Sequence, residues 1–215
     1  VRQAGPILAA SKLCDKKDGL FQPVLRQNKV AEMAKVKIVV SGVPIGQSFI
    51  VPYNHKDGLQ HYPAGHAKAK QPVIYSIAKY EVEVVGGNKY HAVRFGLVNK
   101  GTLESTRVSD AGLSAERTTY PTWVPGYSPH SFAGSAYAGA WRLIPAKGFL
   151  IHEGADGRAG QVGGSLGCIE ILDGGWAPFM EELKAKAKEN WATIGAKQLL
   201  EVAIKRASSP IATLI

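Results

Sequence analysis

Two short apolar runs, Lys147–His152 and Cys168–Leu172, flank a connection that carries Gly154, Gly157, Gly160, Gly163 and Gly164. Glycine at that density interrupts helix propagation, so the segment predicts two strands joined by an irregular loop. The same punctuation runs through the chain, which holds 24 glycines and 12 prolines and so favours many turns and short strands over a helical bundle. The 215 residues suffice for a substantial core, and with 45% hydrophobic and 20% charged residues the composition excludes collagen-like and low-complexity chains.

Periodicity supplies the other elements. Tyr80, Val82 and Val84 alternate with Glu81 and Glu83, Gly86-Gly87-Asn88-Lys89 forms a turn, and a second run follows from Tyr90 to Val98, which predicts a β-hairpin. Strands are also expected at 36–40 and 48–51, separated by Gly42 and Pro44. Residues 99–140, rich in Gly, Ser, Thr, Tyr and Pro, predict loops and short strands forming a lid over a cleft. Trp176, Phe179, Met180, Leu183 and Ala187 fall at helical spacing, with Glu181 and Glu182 early and Lys184, Lys186 and Lys188 late, as the helix dipole prefers. Asp173 is the candidate cap of that helix. The apolar stretch 199–204 is compatible with strand or helix.

Lys and Arg number 26 against 17 Asp and Glu, a formal charge of +9 that suits a polyanionic partner or serves solubility alone. No apolar run reaches the roughly 18 residues of a membrane span. The opening residues lack a signal-peptide layout, and the Val1 start fits a mature form or an excised piece. Two cysteines, Cys14 and Cys168, make no disulfide framework, although a bridge between them is left open.

Cys168 has the surroundings of a nucleophile. A thiol needs a base, since at an ordinary pKa near 8.5 it is only a few per cent ionised at neutral pH. His152 ends one expected strand and Cys168 begins the next, so pairing of the two strands would bring imidazole and sulfur together. By alternation Cys168 and Glu170 share one face, while Ile169 and Ile171 turn to the core. Gly164, Ser165 and Gly167 are small enough to admit a substrate carbonyl to the main chain, whose amides near Cys168 are candidate oxyanion donors. An inert buried cysteine beside a glycine-rich connection is the ordinary alternative. His55, His61 and His66 near Asp57 form a weaker metal candidate, and Tyr120, Trp123, Tyr127 and Tyr137 are candidates for stacking on sugars or bases, or for satellite core. No P-loop or dinucleotide-binding fingerprint is present in the sequence.

The segment Gly148-Phe-Leu-Ile-His152-Glu followed by Ser165-Leu-Gly-Cys-Ile169 resembles the L,D-transpeptidase catalytic domain of YkuD type. It is closer still to compact members among type VI secretion effectors, where Arg-Leu-x-Pro precedes the Phe-Leu-Ile-His strand as Arg142-Leu-Ile-Pro145 does here. The resemblance implies a mainly β (α+β) fold, a small β-sandwich with one packed helix. Residues 1–70 would be an N-terminal extension or small subdomain, and 71–215 the catalytic domain. Cys168 is then the nucleophile, His152 the base, Gly167 and Cys168 the oxyanion donors, and Ser165 shapes the turn. The implied reaction is L,D-transpeptidation or L,D-carboxypeptidation of peptidoglycan tetrapeptide stems, without metal or organic cofactor. The implied place is periplasmic or extracytoplasmic, after delivery by a secretion machine, with an immunity protein as partner; neither nucleic acid nor a membrane span is favoured. Leu166 and Glu170 depart from the histidine and the Arg or Asn of larger members. Glu170 is expected to hold Arg142 or Arg158 for a substrate carboxylate, to attract the amine of an acceptor stem, or to be a solvated strand-end charge. The rival function is a non-enzymatic basic module binding cell wall or nucleic acid, with Cys168 buried and inert.

Overall fold

The computed structural model describes residues 35–51, 53–54, 58–59, 61–98, 107–108, 113–127, 135–145, 147–154 and 167–215. All belong to the unit Met33–Ile215. The strands are β1 (Val36–Ile50), β2 (Tyr53–Asn54), β3 (Gly58–Leu59), β4 (Tyr75–Val84), β5 (Lys89–Val93), β6 (Leu97–Val98), β7 (Arg107–Val108), β8 (Arg117–Thr119), β9 (Thr122–Pro125), β10 (Gly139–Arg142), β11 (Leu150–Glu153) and β12 (Ile169–Ile171), then β13 (Leu200–Ile204) and β14 (Thr213–Leu214). Helices α1 (Trp176–Ala187) and α2 (Trp191–Ala196) lie between β12 and β13. The protein is mainly β, with a curled sheet that forms a half-barrel.

The main sheet runs β8-β13-β1-β4-β5-β12-β11-β10-β9, with β14 added to β4. A smaller sheet follows the order β3-β2-β6-β7. Within the main sheet β1 is parallel to β13 and β11 is parallel to β12, the other pairs being antiparallel. The hairpin of β4 and β5 forms as its alternation predicts: Tyr80, Val82 and Val84 are buried while Glu81 and Glu83 stay half exposed. Residues 36–40 and 48–50, expected as two strands, are parts of the single strand β1, whose register against β4 shifts on either side of Pro44. Proline has no amide to donate, so the ladder bulges there and resumes. The sequence predicts an N-terminal extension or small subdomain over residues 1–70; within that range β1 pairs with β13 and β4 of the main sheet, and Val36, Ile38 and Val40 turn their side chains into its core.

One buried cation ties the curl together. Arg94 is fully buried and donates to the carbonyls of Ser41 at 2.6 Å, Lys205 at 2.9 Å and Leu113. Burial pulls its guanidinium down to about 10. The three carbonyls belong to the bulged part of β1, the end of β13 and the segment before β8, so one side chain holds three distant stretches.

Helix α1 buries Trp176, Phe179, Met180, Leu183 and Ala187, the face its spacing predicts. Its cap differs from expectation: Gly175 occupies that position without a side-chain hydrogen bond. Asp173 instead adopts a left-handed conformation (φ 56°) and pairs with His91 at 2.8 Å and Lys79 at 3.8 Å. A histidine on β5 and a lysine on β4 hold this carboxylate, so it does not cap the helix. The undecided stretch 199–204 becomes strand β13, with Leu200, Val202 and Ile204 buried on alternate positions against β1. One core cluster lies on this side of the sheet, where Val82, Trp141, Ile151, Ile169 and Ile171 join the helix side chains, and a second is built from Ile50 of β1, Tyr75, Ile77 and Tyr80 of β4 and Val93 of β5. Residues 117–119, 122–125 and 139–142, from the stretch expected as loops and short strands, are strands of the main sheet.

Candidate active site

β11 and β12 lie side by side in parallel, with Ile151 opposite Ile169, His152 opposite Glu170 and Glu153 opposite Ile171. Side chains opposite one another in a parallel ladder share a face, and alternate residues reverse it. One face therefore carries Ile151, Ile169 and Ile171, all in the core. The other carries Leu150 and His152 on β11, with Cys168 and Glu170 on or just before β12. Val93 of β5 lies opposite Glu170 on its far side, and Arg142 of β10 lies opposite Leu150. Of the residues singled out for chemistry, Arg142, His152, Cys168 and Glu170 thus share one face of adjacent strands.

Two glycines permit this geometry. Gly167, immediately before Cys168, has φ 124°, a conformation that L side chains rarely adopt. Gly154 ends β11 with its amide 2.8 Å from the Ile171 carbonyl, and a Cβ there would stand 2.8 Å from the Cβ of Glu170. Any side chain at that position would push β11 off β12.

His152 is 2% exposed, and its Nδ1 lies 2.6 Å from the Glu153 carbonyl oxygen. A carbonyl only accepts, so Nδ1 carries the proton and Nε2 is the basic nitrogen. The ring packs beside Tyr127, centroids 5.3 Å apart and planes at 57°. Cys168 is half-buried and present as a thiol; its Sγ donates to the Gly148 carbonyl at 3.6 Å. In backbone terms Cys168 is level with Leu150, and His152 is its diagonal neighbour two residues further along. Glu170 is 0% exposed, which excludes the expected solvated strand-end charge. The surface combines a thiol, an imidazole in a defined tautomer and a buried carboxyl group. Such a set can transfer a proton from sulfur to Nε2 and present the sulfur to an acyl carbon.

Arg142 shares the face but is exposed, so it stands at the rim of the site. Ser165 and Arg158 lie outside the described residues, as do Cys14, His55 and Asp57. His61 and His66 are exposed; His66 stacks on Tyr62 at 4.4 Å, and among the described residues no cluster suited to a metal ion occurs. Of the four aromatic candidates, Trp123 packs on Trp141 and Trp191, Tyr137 on Trp191, and Tyr120 beneath Lys35, so only Tyr127 reaches the site. Its partnership with His152 across 25 positions of chain has no periodic signal in the sequence. The contributions of the Gly148 and Glu153 carbonyls leave no mark there either, because every residue type carries the same group.

Among the described residues no helix is long and apolar enough to cross a membrane. No family model, no curated protein and no solved structure matches the chain.

Proposed function

We propose that the chain is a peptidoglycan-modifying cysteine acyltransferase, an L,D-transpeptidase or L,D-carboxypeptidase. The observation that carries the reading is the common face of Cys168 and His152 on the paired strands β11 and β12, together with the imidazole tautomer that leaves Nε2 basic. The resemblance of the Ile-His and Ser-x-Gly-Cys segments supplies the substrate class. An L,D-transpeptidase-type sandwich for residues 71–215 is part of the same proposal.

In the proposed reaction His152 Nε2 takes the Cys168 proton, and the thiolate attacks the carbonyl at the L-centre of a tetrapeptide stem. The amides of Gly167 and Cys168 stabilise the oxyanion of the tetrahedral intermediate. Collapse breaks the peptide bond, the proton held on His152 passes to the nitrogen of the departing D-alanine, and a thioester remains on Cys168. An amine of a second stem or a water molecule then gives up a proton to His152, attacks the thioester and restores the thiol. The first acceptor makes a crosslink and the second a shortened stem. Action on the wall requires a periplasmic or extracytoplasmic site, and as a secreted antibacterial effector the protein would be neutralised by an immunity protein. The rival, a non-enzymatic basic module, requires an inert buried Cys168, whereas this cysteine is half-buried.

Mass analysis of muropeptides incubated with the wild type and with Cys168→Ala tests the reading. Loss of D-alanine or new crosslinks with the wild type alone supports it. Unchanged muropeptides with both proteins, or conversion by both, refutes it.

A further inference from the structure

We propose that Glu170 is a positioning residue, a buried carboxylate laid against His152 that favours the imidazolium formed when the ring takes the Cys168 proton. The inference rests on the reading of Cys168 as nucleophile and His152 as base. It replaces the acceptor-amine role expected from the sequence, since a group that is 0% exposed meets no amine in solvent; of the two arginines it is expected to hold, Arg142 is exposed at the rim and Arg158 lies outside the described residues.

Three observations carry it. Glu170 is the direct cross-strand neighbour of His152, on the same face, and both side chains are buried. The Nδ1 proton is committed to the Glu153 carbonyl, so the proton gained in catalysis goes to Nε2 and makes the ring cationic. Glu170 is hemmed in by its neighbours, with Gly154 admitting no Cβ on the β11 side and Val93 opposite it on β5.

Distance decides which partner the carboxylate serves. Neighbouring strands stand about 4.8 Å apart, whereas two residues along a strand span about 6.6 Å. At the level of the backbone Glu170 is therefore nearer to His152 than to Cys168. Its attraction for the imidazolium exceeds its repulsion of the thiolate, and the charge-separated state gains. Among the described residues, the other ionisable groups around His152 are Tyr127 against its ring, Arg142 at the rim on β10, and Glu153 on the opposite face of β11. On β5, His91 is two residues from Val93 and is already paired with Asp173. None of these stands directly opposite His152 as Glu170 does.

Alkylation of Cys168 by iodoacetamide across pH reads the effect without any substrate. Glu170→Gln should react at least about threefold more slowly than wild type near neutral pH, where thiolate depends on imidazolium. It should match or overtake wild type at high pH, where the imidazole is neutral and the carboxylate only repels the thiolate. Glu170→Asp should recover part of the neutral-pH rate. Superimposable profiles overturn the proposal, and so does a Glu170→Gln profile that is faster throughout. If Glu170→Gln does not fold, NMR titration of His152 in Cys168→Ser replaces it: an imidazolium that persists above the ordinary value of about 6.5 supports the proposal, and one lost below that value refutes it. Muropeptide turnover by wild type, run in parallel, separates the two readings. Crossing profiles without turnover retain the role of Glu170 and remove the substrate, while superimposable profiles with intact turnover remove the role of Glu170 alone.

Discussion

The two faces of the β11–β12 ladder are built from alternate residues of the same strands, yet they differ in kind. Ile151, Ile169 and Ile171 enter a core shared with Trp141, Phe179 and Met180. On the reverse, Leu150, His152 and Glu170 are buried almost as deeply, but two of the three are ionisable. Depth does not separate the faces. What separates them is that burying an ionisable group is costly unless its neighbours compensate, and the outer face holds an imidazole and a carboxyl group side by side on adjacent strands. The inner face depends on volume, and the outer on particular atoms.

Removing one atom from the outer face should give the largest effect. Cys168→Ala is expected to lower muropeptide turnover by at least about 10³-fold. Because Cys168 is half-buried, its urea midpoint should move by no more than about 0.5 kcal/mol equivalent. On the inner face the outcome reverses. Ile169→Ala, at a fully buried position, should cost about 2–5 kcal/mol in urea unfolding while the folded fraction keeps its turnover per molecule. If Ile169→Ala loses activity at constant stability, the division between the faces is wrong.

Gly154→Ala strikes both faces together. Its Cβ would stand 2.8 Å from the Cβ of Glu170 and 3.0 Å from the Ile171 carbonyl, so the strands must part. A loss of about 1–3 kcal/mol is expected. It should come with altered alkylation of Cys168, measured on the folded protein below its thermal transition. Destabilisation with an unaltered thiol would show that the ladder end does not govern the site.

The smallest effect concerns pH. Tyr90 is buried, donates to Glu182 at 2.6 Å, and holds its proton well above the usual tyrosine range, through burial first and the carboxylate second. A folded-state value above the unfolded one of about 10 contributes stability that is complete below pH about 10 and is lost as pH rises beyond it. Tyr90→Phe should cost about 1 kcal/mol at neutral pH and flatten the alkaline decline in the urea midpoint. Parallel declines in the two proteins would assign the alkaline sensitivity elsewhere. The expected response of the core side is thus to alkali, whereas the proposed response of the outer face lies near neutrality.

Local pattern in the chain carried a good deal of this. Alternation around Gly86-Gly87 specifies the β4–β5 hairpin, helical spacing selects the buried face of α1, and the parity of residues 168–171 separates Cys168 and Glu170 from the two isoleucines. Each depends only on residues a few positions apart, for which side-chain direction follows from backbone geometry. Packing of distant segments settled the rest: the union of residues 36–50 in one bulged strand, the parallel pairing of β13 with β1, the capture of Asp173 by His91 and Lys79, and the clamp of Arg94 on three carbonyls. The register that sets Glu170 beside His152 belongs to the same class. Alternation determines which side of a strand a residue faces but not which residue of another strand stands next to it, and that neighbour is chosen when close packing brings chain segments into contact.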